Sequence, residues 1–300
     1  MTALNFFART LFYSASATGR LLLGALLISF SPVFVKLTSV SPEVSAWYRV
    51  AIGGGVLLLW LAARGRLRWP TRGASVALLC AGFFFAADLA AWHQSIVYIG
   101  PGLATLLGNF QVFIMAFVGA AFLKEAMSRS MYVAIPLAML GLVMIAGLDW
   151  SGLAPSTRIG ILLGLATAAF YSGFMLALRR AQIITGHGDT GSNLAVACLL
   201  SAVLLGVFVF ARGQTLAIPT LADGLLLVSY ALVAQVFGWL LITSALGNVP
   251  ASRVGLVLLL QPALSFVWDI VFFDRSFTGL ELSGALLALV AIFLGSRPAR

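Results

Sequence analysis

The sequence predicts an all-α integral membrane protein whose ten transmembrane helices form two inverted five-helix repeats. Three observations carry that prediction. The first is composition: 61% of the residues are hydrophobic, 9% are charged and the mean hydropathy is +1.06. Soluble domains carry about 25% charged residues, so the bilayer is the solvent for this chain. The second is the pattern of unbroken apolar runs about one bilayer long. Transmembrane strands alternate polar and apolar residues over short stretches, so these runs are helices. The third is internal repetition. Residues 105–125, TLLGNFQVFIMAFVGAAFLKE, match residues 255–275, GLVLLLQPALSFVWDIVFFDR, with one glutamine at the same place in each (261 − 111 = 150, half of the 300 residues). LLGALLISFSPVFVK at 22–36 aligns with LLGLATAAFYSGFML at 162–176, setting Gly24, Phe30 and Phe34 on Gly164, Phe170 and Phe174 (164 − 24 = 140).

Along the chain, residues 1–18 read as a cytoplasmic lead-in. Ala15-Ser16-Ala17 imitates a signal-peptidase site, but Asn5 and Arg9 interrupt the stretch before it and no sustained apolar core precedes it. The spans follow at 19–38, 43–63, 73–98, 101–123, 128–148, 157–180, 192–212, 222–246, 251–273 and 277–296. Turn and charge signals separate them: Pro42-Glu43, the run Arg64, Arg66, Arg68 and Arg72, Gly100-Pro101, Gly186-His187-Gly188-Asp189 and Asn248-Val249-Pro250. Pro101 and Pro250 suit a first helical turn, where a missing N–H costs nothing. The units are 19–148 and 157–296. Five spans per unit is an odd number, so the second unit enters the membrane from the opposite face, a geometry suited to alternating access in transporters.

With the N-terminus in the cytoplasm, 13 of the 18 basic residues fall on the cytoplasmic side, while Lys36, Arg158, Arg212 and Arg275 fall outside and Arg49 lies within the second span. The positive-inside effect places both termini in the cytoplasm and accounts for the net charge of +9. Without a basic patch interleaved with aromatics outside the spans, nucleic acid is excluded as a partner. Cys80 and Cys198 lie inside apolar runs as packing residues, with no metal-ligand spacing. The arginine bias, 16 of 18, is compatible with a bacterial source and a bacterial cytoplasmic (inner) membrane.

An ionisable residue deep in a span is a functional candidate by default. Asp88, Trp92 and Ser95 fall at i, i+4 and i+7 on one helical face, where an acid beside an indole can hold an ammonium by charge and cation–π contact. His93 points about 100° away and can act as a proton-sensitive gate, or simply donate to a neighbouring carbonyl. In the other repeat Gln235 and Trp239 match Asp88 and Trp92 (235 − 88 = 147), so the charge survives in one half only and the lining suits a zwitterion with an apolar or aromatic tail. Asn109, Gln111 and Gln261 either line a polar path or hydrogen-bond helices together. Pro32 and Pro262, with Pro136, are kink candidates. Arg49 can snorkel outward, hold a carboxylate, or lock a gate with Glu43 or Asp269, and a structural or gating role for Arg49 and Glu43 is the favoured reading. Tyr48, Phe85, Tyr171 and Tyr230 are possible cavity walls. Gly160 and Gly164 form a helix-packing GxxxG. The chemistry of membrane enzymes is missing: Asp88 and Asp269 lack a GxGD setting, His93 and His187 lie far apart with no HExxH, and Phe170 replaces the first glycine of a rhomboid-like GxSG at Ser172-Gly173.

The five-plus-five repeat, the arginine within Trp47-Tyr48-Arg49, and the two proline-led helices ending in charge, Pro101 to Lys124-Glu125 and Pro250 to Asp274-Arg275, resemble the drug/metabolite transporter superfamily, and within it the ten-helix EamA type. The resemblance covers almost the whole chain. Relatives often end both helices in glutamate, whereas the second here ends in Asp274-Arg275. The overall pattern is closest to YddG-like exporters of aromatic amino acids and metabolites. The resemblance implies an exporter of small organic solutes such as amino acids, acting as a monomer or weak dimer in the lipid bilayer without a cofactor. No GxxxxGK[ST] accompanies it. A drug or other metabolite permease, or a channel-like facilitator, is the alternative.

Overall fold

The computed structural model describes residues 16–146, 155–186, 189–274 and 276–296. The lead-in before Ser16, His187 and the arginines at 9, 275, 297 and 300 lie outside the described residues. Among the described residues the chain is helical throughout, without strands. The spans are α1 (Ala17–Leu37), α2 (Pro42–Ala63), α3 (Arg72–Ile99), α4 (Ala104–Ala121), α5 (Arg129–Ala146), α6 (Pro155–Thr185), α7 (Thr190–Ala211), α8 (Leu221–Leu246), α9 (Ala251–Phe273) and α10 (Gly279–Ser296). Eight are long and apolar enough to cross a bilayer; α5 and α10 are the shorter apolar pair.

Local chemistry starts and stops these helices in matched pairs. Ser16 and Ser41 cap α1 and α2 by accepting from Gly19 N and Val44 N. Left-handed backbone follows α2 at Gly65 and α7 at Gly213 (213 − 65 = 148), where glycine carries no Cβ penalty. The ends of α4 and α9 do the same at Lys124 and Asp274 (274 − 124 = 150), so the two charged stops are conformational stops as well. The expected break at Gly100-Pro101 is absent as a gap: helical hydrogen bonding runs through Arg72–Gly108. The chain nonetheless reverses there: Phe84 meets Gly173 and Ile99 meets Gly160, so α3 runs against α6, whereas Leu107 meets Gly164 and Ser172 reaches Gln111 O, so α4 runs along it.

Three spans are interrupted instead. α1 breaks at Ser29-Phe30, α4 at Asn109-Phe110 and α9 at Leu259. Pro32 and Pro262 lie just beyond the first and last of these, and each lacks the N–H that the carbonyl four residues earlier needs. In α4 the Asn109 side chain takes Thr105 O at 2.8 Å, competing with the helical ladder. Pro136 sits inside α5 without interrupting it.

Packing follows the repeat. α1 lies against α8 and α6 lies against α3; α2 packs on α7, α4 on α9 and α5 on α10; α2 also meets α8, and α7 meets α3. Advancing every helix by five returns the same set of neighbours, which is a pseudo-two-fold axis in the membrane plane. The α5–α10 seam is closest: a Cβ on Gly141 would stand 2.5 Å from Gly284 O, and one on Gly284 2.6 Å from Gly141 O. Small residues are how helices approach in lipid, where no hydrophobic force drives them together.

Candidate functional site

The centre of the bundle is organised on Arg49. It is 6% exposed, in the second turn of α2, and therefore does not snorkel to an interface. Gly53 follows one turn later and lets α2 close on α8, since a Cβ there would meet Gln235 Cγ at 2.6 Å. That approach sets Arg49 Nε on Gln235 Oε1 at 2.7 Å, while an Nη donates to the Tyr230 hydroxyl at 3.0 Å. The guanidinium carbon also lies 5.2 Å from the Tyr230 ring centroid and 5.9 Å from that of Phe85. Gln235 is fully buried in the π-helical turn Ala231–Gly238 of α8, and its amide N–H donates to Cys198 Sγ at 3.1 Å. π-Helical turns concentrate at functional sites. Every partner of Arg49 is neutral: among the described residues no carboxylate forms a contact ion pair with it. The expected locks with Glu43 or Asp269 do not form, because Asp269 pairs with Lys36 and Glu43 receives Gln94 Nε2 at 3.4 Å.

Asp88 on α3 is 7% exposed and feels the Arg49 charge without touching it. Among the described residues no hydrogen bond reaches its carboxylate. One turn earlier, Phe85 stacks on Phe174 at 4.2 Å, and Trp239 meets both edge-on at 5.6 and 4.8 Å. Tyr171 lies 6.3 Å from the Trp239 ring, interacts electrostatically with Asp88, and accepts a 3.5 Å hydrogen bond from Gln261 Nε2. Trp239 is 1% exposed and its indole N–H has no partner among the described residues. The structure thus gathers Arg49, Asp88, Gln235, Trp239 and Gln261 around one ring-walled point.

Other candidates sit elsewhere. Ser95 turns away from Asp88 to bond Gly160 O at 2.8 Å, so that helical face is not a single lining. Trp92 is half-buried, edge-on to the His93 ring at 4.9 Å. His93 Nδ1 donates to Leu89 O at 2.6 Å and is acted on by Glu43 and Arg49. Gln94 bridges Glu43 to Arg212, whose guanidinium donates to Gln94 Oε1 at 3.4 Å. These residues form a chain running from the centre to the face bearing Lys36 and Arg212. Trp92 and Trp239 match in sequence but not in setting. Gln111 ties α4 to α9, donating to Gly255 O at 3.1 Å, while its Oε1 is buried without a partner among the described residues. The sequence reading overlooked Cys198 as an acceptor and missed two ion pairs, Lys36–Asp269 and Arg179–Glu125. Their signal was positional: a base on the first helix and an acid at the fourth helix of each repeat.

A buried cation and acid, held apart inside an inverted-repeat bundle, define a membrane transporter. The family profile of EamA-like transporters matches residues 18–147 and again 158–297, and the chain belongs to that family. It is 26% identical over 286 residues to the pseudopaline exporter CntI of Pseudomonas aeruginosa, covering 91% of this chain and 94% of that one. It is 27% identical over 264 residues to the uncharacterized transporter YvbV of Bacillus subtilis, covering 84% and 82%. A solved crystal structure shares the fold, with a TM-score of 0.79 and 20% identity over 93% of this chain and 96% of that one.

Proposed function

We propose that the protein exports small organic solutes, foremost amino acids with aromatic or apolar side chains, across the bacterial inner membrane with both termini in the cytoplasm. The observation that carries this reading is the separated pair Arg49 and Asp88, both buried and neither in contact with an opposite charge. A buried ion without a partner costs roughly several kcal/mol in any protein interior. A zwitterion inserted between them relieves both at once: its carboxylate takes the unspent N–H groups of Arg49 and its ammonium takes Asp88. Phe85, Tyr171 and Trp239 then receive the side chain, and the free Trp239 N–H offers a donor. Gln261 contributes through Tyr171, and Gln235 positions Arg49 rather than meeting substrate.

The halves 19–148 and 157–296 rock about this point, Pro32 and Pro262 mark where helices flex, and His93 with Trp92 and Glu43 lies on the exit path. Export as the direction rests on the name of the P. aeruginosa relative. The working unit is a monomer or weak dimer. An efflux screen across amino acids, aromatic ones included, tests the proposal. Asp88→Asn and Trp239→Phe, which removes the free indole donor, should each reduce efflux at least tenfold while the purified protein stays folded. Normal efflux from both variants would sink this site.

A further inference from the structure

Among the described residues three ion pairs join the halves, and two of them sit on helices that the pseudo-two-fold axis exchanges. Lys36 is on the last turn of α1 and Arg179 is near the end of α6; α1 and α6 are the first helices of their halves. Their partners, Asp269 and Glu125, belong to the ends of α9 and α4, the fourth helices. Each pair therefore links the first helix of one half to the fourth helix of the other. The pairs lie on opposite faces. Arg20 at the start of α1 bonds Ser244 at the end of α8, placing those ends with the Arg179 face. Ser39, just past α1, bonds Asp223 at the start of α8, placing those ends with Lys36.

Each pair seals a seam. On one face Lys36 Nζ sits 2.6 Å from Asp269 Oδ1 and 4.8 Å from the Phe273 centroid. Below it Phe30 stacks on Trp268 at 4.5 Å, and Trp268 Nε1 and Ser265 Oγ bond the broken turn at Ser29 at 2.8 and 3.1 Å. On the other face Arg179 contacts Glu125 and also donates to Leu246 O at 2.9 Å, while Glu125 accepts from Ala251 N at 2.7 Å. Four elements of both halves meet there.

We propose that these pairs are the two gates of the transport cycle, one per face, each intact only while its face is closed. The third described ion pair between the halves, Arg68–Asp189 at 3.5 Å, has its arginine side chain 70% exposed and contributes little. The gates are unequal. Side-chain exposure is 47% and 21% for Lys36 and Asp269, against 11% and 16% for Arg179 and Glu125. Salt screens exposed charges far more than buried ones, so the Lys36 gate is the weaker and opens first. This inference rests on the transporter family and not on the substrate proposed above, and it can be tested with no substrate present.

The experiment is distance measurement between spin labels in liposomes, with Cys80→Ala and Cys198→Ser as background. One label pair replaces Leu37 and Phe272 beside the first gate; a second replaces Leu123 and Arg180 beside the other. Asp269→Asn should shift the 37/272 distribution to a longer population and leave 123/180 short. Arg179→Gln should do the reverse. The charge-reversed double variant Lys36→Asp with Asp269→Lys should restore the short 37/272 distance, which separates charge attraction from damage to folding. Raising salt on the otherwise native chain from low ionic strength to about 1 M, where the Debye length falls to about 3 Å, should lengthen 37/272 alone. Unchanged 37/272 distances in Asp269→Asn, or simultaneous lengthening of both pairs in either variant, overturns the proposal.

Discussion

At the scale of single residues, Arg49 shows how a buried charge is held for use. Its Nε is fixed by Gln235, Gln235 is fixed by Cys198, and Gly53 admits the amide. Gln235→Leu leaves that N–H buried and unpaired, and a hydrogen bond to a charged group is worth about 1.5–3 kcal/mol. The variant should melt earlier in detergent and transport poorly. Arg49→Lys keeps the charge but cannot reach Gln235 and Tyr230 with a planar fork, so efflux should fall by at least tenfold with folding intact; unaltered efflux would show that charge alone suffices. Asp88 was legible in the sequence because an acid at mid-span is too costly to be carried without a use. The part played by Arg49 was not, because nothing in the order of residues reveals that α2 closes on the π-helical turn of α8.

At the scale of elements, the ten spans and their charged stops could be read from hydropathy and turn residues, and the stops recur as left-handed backbone at Lys124 and Asp274. The α4 break could not, since no proline marks it and Asn109 makes it by taking a carbonyl from its own helix. Nor could the α3–α4 reversal, which preserves helical hydrogen bonding where the sequence promised an interruption. Pro262→Ala returns an N–H to α9. The straightened helix should slow turnover without weakening the fold, seen as a lower maximal efflux rate at unchanged melting temperature. Gly141→Leu, by contrast, forces a side chain into the Gly284 backbone. Overpacking of this kind costs about 1–3 kcal/mol, so expression and melting temperature should drop while the substrate profile of the surviving protein is unchanged.

At the scale of the whole molecule, orientation is the prediction that organises the rest. A reporter active only in the cytoplasm should work when inserted between Arg64 and Arg72 and fail between Gly213 and Pro219; the opposite pattern would invert the proposed direction of every gate. The neighbour relations carry a further consequence, for how the chain is made. α1 packs on α8 and α9, and Arg20 finds Ser244 across 224 positions of sequence. Helix insertion and helix association are separate stages in a membrane, and here synthesis keeps them far apart in time. Ser29 and Lys36 must wait in the bilayer for Trp268 and Asp269 to be translated. A nascent chain stopped after α5 is a set of helices solvated by lipid, lacking the surfaces that would make it a protein.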